Sequence, residues 1–432
     1  MIKTFCFTTL TFLFIQTSFG QKILTSNDSL AGYFNEIKIQ TNKHKKLWST
    51  DLYEPILLVD PNSRKVFANY PDTASTLKQD GKIYSGILPN KINISNTAID
   101  WNGKRWAMIM LPLPTNKQDR LNLLAHELFH VNQPSLGFEL FNTENNHLDQ
   151  RDGRIYLRLE LEALKKAIEG TNKKERKAHL TNAMIFRKYR HLLYPGADIT
   201  ENSLELNEGI AEYTGFVISE RNVKQSTEHF IESINTFLSN PTFVRSFAYQ
   251  TIPVYGYLLD PIKKGWNREI TIKTNLTDYF VKMFDVSLPT DLKKTADLIL
   301  NQYNGETIIS EEKTREEKIA KLIAEYKSKF VTQPHFELKI EKMNVSFDPR
   351  NILPLEGKGT VYPNIRVTDN WGILEVKNGA LMSSNWDKIS TSIPLKDDGK
   401  IINGDGWTLE LKDGYSVIKN ENTGNYILTK KI

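Results

Sequence analysis

The chain has one cysteine, Cys6, among its 432 residues. That cysteine lies in the N-terminal stretch "MIKTFCFTTLTFLFIQTSFG", so any chain processed after it would hold none. The scarcity excludes a disulfide framework, a cysteine nucleophile and a thiolate zinc site. A basic stripe interleaved with aromatics is also missing. The formal net charge is +5, but the excess is scattered, which excludes a nucleic-acid partner as the leading reading. Beyond the N-terminal stretch no apolar run is long enough to span a bilayer, so no stable membrane span is expected once that stretch is removed. The stretch itself carries one cation, Lys3, then an apolar run, then Thr17, Ser18 and Gly20. That is the anatomy of a secretory signal over residues 1–20, with cleavage expected near Gly20–Gln21 and an exported product. An uncleaved anchor is the alternative.

What remains is ordinary globular text, 40% hydrophobic and 25% charged, long enough for two or three domains. Residues 21–115 read as mostly strand and turn. "EPILLVDPNSRKVFANY" is two apolar runs around Asp60, Pro61, Asn62 and Ser63, a hairpin signal, and "RWAMIMLPLP" is a strand ending at Pro112 and Pro114. From residue 116 to 333 the period becomes helical. Leu121, Leu124, Leu128 and Val131 recur behind a cap at Thr115 or Asn116, and Pro134 closes the helix. Further helices are expected in "GRIYLRLELEALKKAIEG", "KERKAHLTNAMIFRKYRHLL" and "SLELNEGIAEYTGFVISE". "EEKTREEKIAKLIAEYKSKF" reads as a solvated helix leading into a linker. Residues 334–432 are short alternating runs between Asn-Gly, Asp-Gly and Gly-Asp turns, an all-β domain. The fold class is therefore α+β: an N-terminal β-rich subdomain, a mainly helical middle and a C-terminal β domain.

The chemistry-bearing stretch is "NLLAHELFHVNQ", with His126, Glu127 and His130 in the pattern H-E-x-x-H. On a helix, i and i+4 share a face, so both imidazoles can reach one ion, and Glu127 lies beside them. Zinc takes nitrogen and carboxylate donors, and a catalytic site uses three protein ligands, so one more is needed. "LELNEGIAEYTG" supplies candidates, since Glu208 and Glu212 are again i and i+4. One can ligate while the other holds a ligand histidine by its second ring nitrogen. The other histidines, His44, His147, His179, His191, His229 and His335, lack a partner at ligand spacing and read as surface or capping residues.

"HELFH" followed by "LNEGIAEY" resembles the gluzincin zinc metallopeptidases, most closely their aminopeptidase branch, whose second helix carries Leu-Asn-Glu-Gly-x-Ala. The resemblance covers two short motifs and their order. It implies that His126, His130 and Glu208 hold Zn2+, that Glu127 is the general base and that Glu212 sits behind a ligand. The interval between His130 and Glu208 is longer than the family's usual gap, which leaves Glu160 and Glu162 as rival third ligands. "FAYQTIPVYGYLLD" is similar to the segment in which a tyrosine stabilises the oxyanion, which implies Tyr255, with Tyr249 as the alternative. The branch's Gly-x-Met-Glu-Asn stretch, which binds a free amine, has no counterpart here, so aminopeptidase action is not implied. "KRWAMIMLPLP" offers instead a strand edge with which an extended peptide can pair. Two readings stand. One is an exported zinc peptidase acting on peptide or protein substrates. The other is a non-catalytic surface or periplasmic binding protein on the same scaffold, against which the retained Glu127 argues.

Overall fold

A computed structural model describes residues 26–90, 92–138, 145–348 and 351–430. The expected signal, residues 1–20, lies outside the described residues. Within them the order is an N-terminal β region, a helical middle and a C-terminal β region, as the composition of the text leads one to expect. Among the described residues no helix is long and apolar enough to cross a membrane.

The N-terminal region differs from expectation at its start. Residues Asn27–Lys43 form a helix, α1, capped by the Ser26 side chain. Its buried residues Leu30, Phe34, Ile37 and Thr41 fall on one face at helical spacing. Strands β1 (Ile56–Val59), β2 (Lys65–Ala68), β3 (Lys78–Asp80), β4 (Ile83–Ile87), β5 (Thr97–Trp101) and β6 (Lys104–Met110) follow. They form one sheet in the order β3-β4-β2-β1-β6-β5. β1 and β2 are the expected antiparallel hairpin. β6 is internal, parallel to β1 and antiparallel to β5. The strand expected to offer a free edge is thus covered on both sides, and the edge is β5.

Period-2 alternation divides the sheet's side chains between two cores. Leu57, Val59, Trp106 and Met108 pack on the outer face. Ile56, Leu58, Ala107 and Ile109 join the main core with the helices, so sheet and helical region share one interior.

Eight helices need naming for the site, α1 among them. α2 spans Lys117–Asn132 and is started by Asn116, whose side chain accepts from the amides of Gln118 and Asp119. α3 (Arg151–Glu169) and α4 (Lys173–Leu193) pack as an antiparallel pair. α5 (Ala197–Leu204) runs through one π-helical turn, Glu205–Gly209, into α6 (Ile210–Ile218). α7 (Val223–Leu238) and α8 (Ala248–Leu259) follow. The charged helix Gly305–Lys327 is largely solvated, as its text suggests, apart from Gly305, Ile308 and Glu312, the last buried against Arg154 and Arg158.

From His335 onward the chain forms two sheets, of seven and six strands. Phe336, Leu338 and Ile389 from one and Val367, Leu374 and Leu409 from the other share a core, so the sheets pack face to face.

Candidate metal centre

Two close helix crossings bring the motifs together. A Cβ at Gly215 would lie 2.5 Å from the Asn122 carbonyl oxygen, so α6 approaches the α2 backbone only with glycine there. That crossing sets Glu212 against His126. At Gly209 a Cβ would meet the Ile252 side chain at 2.6 Å, which lets the π turn lie on α8. The π turn advances Glu208 toward α2; such turns carry functional residues more often than chance.

His126, His130 and Glu208 converge, with one donor atom from each all within 4.8 Å of one another. His126 Nε2 and His130 Nε2 are 3.1 Å apart. Glu208 Oε2 stands 3.5 Å from the first and 3.3 Å from the second. The back nitrogens are taken. His126 Nδ1 lies 2.8 Å from Glu212 Oε2, and His130 Nδ1 lies 2.8 Å from Gln133 Oε1. Glu212 is itself held by Asn122 Nδ2 at 2.8 Å, and Gln133 Nε2 donates to Asn207 Oδ1 at 3.1 Å. Tying each Nδ1–H to an acceptor turns both Nε2 lone pairs toward the Glu208 carboxylate. Three acceptors facing one another require a cation or shared protons between them. The set, two imidazoles and a carboxylate, is a zinc donor set. The residues present therefore fit the metal that the motif resemblance implies.

The electrostatics express the same demand. Burial disfavours the charged His126 ring, yet the Glu208 and Glu212 carboxylates outweigh it and hold its pKa well above the usual value. Burial pushes the Glu208 carboxyl up, but hydrogen bonds to His126 and His130 outweigh it and hold it well below the usual range. Glu212 is lowered against its own burial, chiefly by His126. Glu127 is raised, because its burial exceeds the pull of the two histidines. Its Oε2 is shielded from solvent and has no hydrogen-bond partner among the described residues.

The cluster opens on a cavity of about 460 Å³, lined also by Asn96 just ahead of β5, by Thr97, Ala98 and Arg105 of the sheet and by Gln133, Pro134 and Phe138. Toward the N-terminal half of α2 a second cavity, of about 340 Å³, shares His126, Glu127 and Tyr249 with the first. It adds Asp119, Asn122, Arg221 and His229, and Asp119 and His229 also border a third cavity reaching Glu232. The cleft thus runs past the cluster on both sides.

Not every expected residue reaches this cleft. Tyr255 is fully buried and donates to Glu160 Oε1 at 2.8 Å, behind α3, so it faces no cleft. Tyr249 faces it instead. Its hydroxyl donates to Glu208 Oε2 at 2.5 Å and its ring stacks on His126, centroids 5.3 Å apart. The reason is helical geometry: six residues along α8 turn a side chain roughly 120° away, so the two rings cannot share a face.

Neither rival carboxylate joins the cluster. Glu160 accepts from Arg187 Nε and Arg190 Nη1, both at 2.8 Å, and Glu162 pairs with Lys165 at 2.7 Å. Several histidines read as surface or capping residues are partly buried or buried, with defined surroundings. His147 and His191 lie 2.7 and 3.0 Å from the Glu201 carboxylate, His335 is 6% exposed, and His229 lines the cleft. Gln133 was not singled out in the sequence, although its place three residues after His130 puts it on the same helix face. Arg105 and Asn96 carried no local signal, since only the sheet brings them to the cluster.

Comparison of the chain with protein-family models, curated proteins and solved structures returned no match.

Proposed function

We propose that the protein is an exported zinc-dependent peptidase of gluzincin type, in which His126, His130 and Glu208 hold the metal. The observation that carries this reading is the pair of Nε2 atoms turned on Glu208, with the Glu127 carboxylate lining the same cavity. Bound to such a set, zinc supplies Lewis acidity, polarising a peptide carbonyl and bringing the pKa of a water toward neutrality.

The Glu127 carboxylate takes the proton of the attacking water and delivers it to the leaving amine. Glu212 and Gln133 orient the imidazoles and fix their tautomers. The Tyr249 hydroxyl, at the cluster's edge, exchanges Glu208 for the charge that develops on the carbonyl oxygen. The β5 edge offers backbone groups to an extended chain lying in the cleft. A cleft continuing on both sides of the cluster suits cleavage of internal bonds.

The test is metal analysis of the purified chain with digestion of a mixed peptide library. About one zinc per chain is expected, released by His126→Ala or His130→Ala. Glu127→Gln is expected to keep zinc and to lose hydrolysis by roughly two orders of magnitude or more. Zinc that survives both histidine substitutions, or activity that survives Glu127→Gln, refutes the assignment.

A further inference from the structure

We infer that Arg105 selects the substrate by recognising a carboxylate carried by the bound peptide. The inference rests on the peptidase reading, because it takes the cleft to be the place where a peptide lies. Alternation along β6 sends Trp106 and Met108 to the outer core and Ala107 and Ile109 to the helix-facing core. Arg105 has the parity of the second pair, and it reaches the cavity that His126, His130 and Glu208 border. Among the described residues lining that cavity it is the one lysine or arginine, and the acidic ones are Glu127 and Glu208.

The guanidinium is only partly satisfied. Its Nη1 donates to Asp100 Oδ2 at 3.1 Å, while its Nε is shielded from solvent and has no hydrogen-bond partner among the described residues. Asp100 is the cross-strand neighbour of Arg105 and its side chain is 78% exposed. An ion pair that exposed contributes little, so it does not hold Arg105 against a better acceptor. The fork has five donors and suits a carboxylate that accepts two at once. A peptide carboxylate on the sheet side of the cavity would meet the Arg105 guanidinium, and one drawn to the metal instead would show a preference that does not depend on Arg105. If Arg105 merely stabilised the β5–β6 pair, none of this would affect binding.

The carboxylate can come from an aspartate or glutamate side chain or from the peptide's own C-terminus. Short alanine–leucine peptides labelled at the N-terminus with an uncharged BODIPY dye separate the two sources, carrying one Glu or one Gln, each with a free or an amidated end. Their affinities are read by anisotropy on the zinc-loaded, full-length Glu127→Gln protein, with zinc content and melting temperature followed for every variant. The carboxylate-bearing set should bind about tenfold tighter or more than its neutral counterpart, as a charge-assisted bidentate contact implies. Adding Arg105→Gln should bring the two sets to the same affinity, Arg105→Lys should retain part of the difference, and added salt should weaken the carboxylate set selectively. Which of the Glu or free-end peptides carries the preference names the source. Peptides that bind without a carboxylate preference, or a preference that survives Arg105→Gln, overturn the inference and leave the peptidase reading standing. Absence of any peptide binding overturns both.

Discussion

Replacing Glu160 by glutamine separates the metal cluster from the framework behind it. Glu160 is fully buried and accepts from Arg187 Nε, Arg190 Nη1 and the Tyr255 hydroxyl, each at 2.8 Å. The amide keeps the shape but removes the charge, and its NH2 must face a guanidinium donor. Each arginine retains one bidentate partner: Arg187 on Glu205 at 2.6 and 2.9 Å, Arg190 on Glu201 at 2.8 and 2.7 Å. The loss is therefore of one shared carboxylate, not of a whole network. Breaking one buried pair costs about 3–5 kcal/mol, a large part of the roughly 5–15 kcal/mol that separates folded from unfolded chains. Urea denaturation of the metal-loaded protein should show that loss, and the melting temperature should fall by roughly 10 °C. Zinc content at saturating metal should stay at the wild-type level, because no ligand is touched. Glu208→Gln should show the reverse: zinc affinity collapses, since an amide replaces the anionic donor. Unchanged stability in Glu160→Gln, or zinc lost with Glu160 and kept without Glu208, would refute the division of roles.

Glu212→Gln should weaken zinc binding by about 10- to 100-fold without abolishing it, measured by competition with a chelator, because the His126 Nδ1–H loses a charged acceptor. Tyr249→Phe should lower kcat on a cleaved peptide with KM nearly constant, whereas Tyr255→Phe should lower the melting temperature and leave kcat alone; equal kcat losses would contradict the placement of the two rings. At Asp72 burial pushes the carboxyl up, but hydrogen bonds from Thr76, Leu77 and Asn102 outweigh it and bring the pKa from 3.8 to about 2. A folded-state pKa below the unfolded one adds stability that is fully present above about pH 4 and disappears as pH falls through about 2. The stability difference between wild type and Asp72→Asn, read by urea denaturation, should thus shrink from pH 5 to pH 3, and a difference that grows would contradict it.

The helix carrying His126 and His130 was legible because its signals are local: the Asn116 cap, the apolar period and the two i, i+4 pairs. The hairpin of β1 and β2 and the β character after Pro334 were legible for the same reason, turn residues between alternating runs. α1 was missed although Leu30, Phe34 and Ile37 stand at helical spacing. Its remaining text is polar, and the adjacent strand signals outweighed a single apolar stripe. The choice between Tyr249 and Tyr255 needed the rotation of α8, and the free edge at β5 needed the strand order; neither is a property of a short stretch.

The long interval between His130 and Glu208 is where sequence reasoning had least to hold, and the structure gives it a purpose. α3 and α4 fill it, and they supply Glu160, Arg187 and Arg190 to a cluster closed to solvent, with Glu201 and Glu205 as the remaining carboxylates. Glu205 is the first residue of the π turn, held by Arg187 on one side and by the Thr251 hydroxyl of α8 at 2.6 Å on the other. Glu208 is three residues further along the same turn. A π turn in isolation gives way to ordinary helix, so one that carries a ligand needs its start fixed from outside. Arg187, presented by α4 and oriented by Glu160 of α3, fixes it. The pairing joins residues 18 and 27 positions apart in sequence, too far for any periodic pattern to announce. The inserted helices thus support the turn that carries Glu208, at one remove from the cluster of His126, His130 and Glu208.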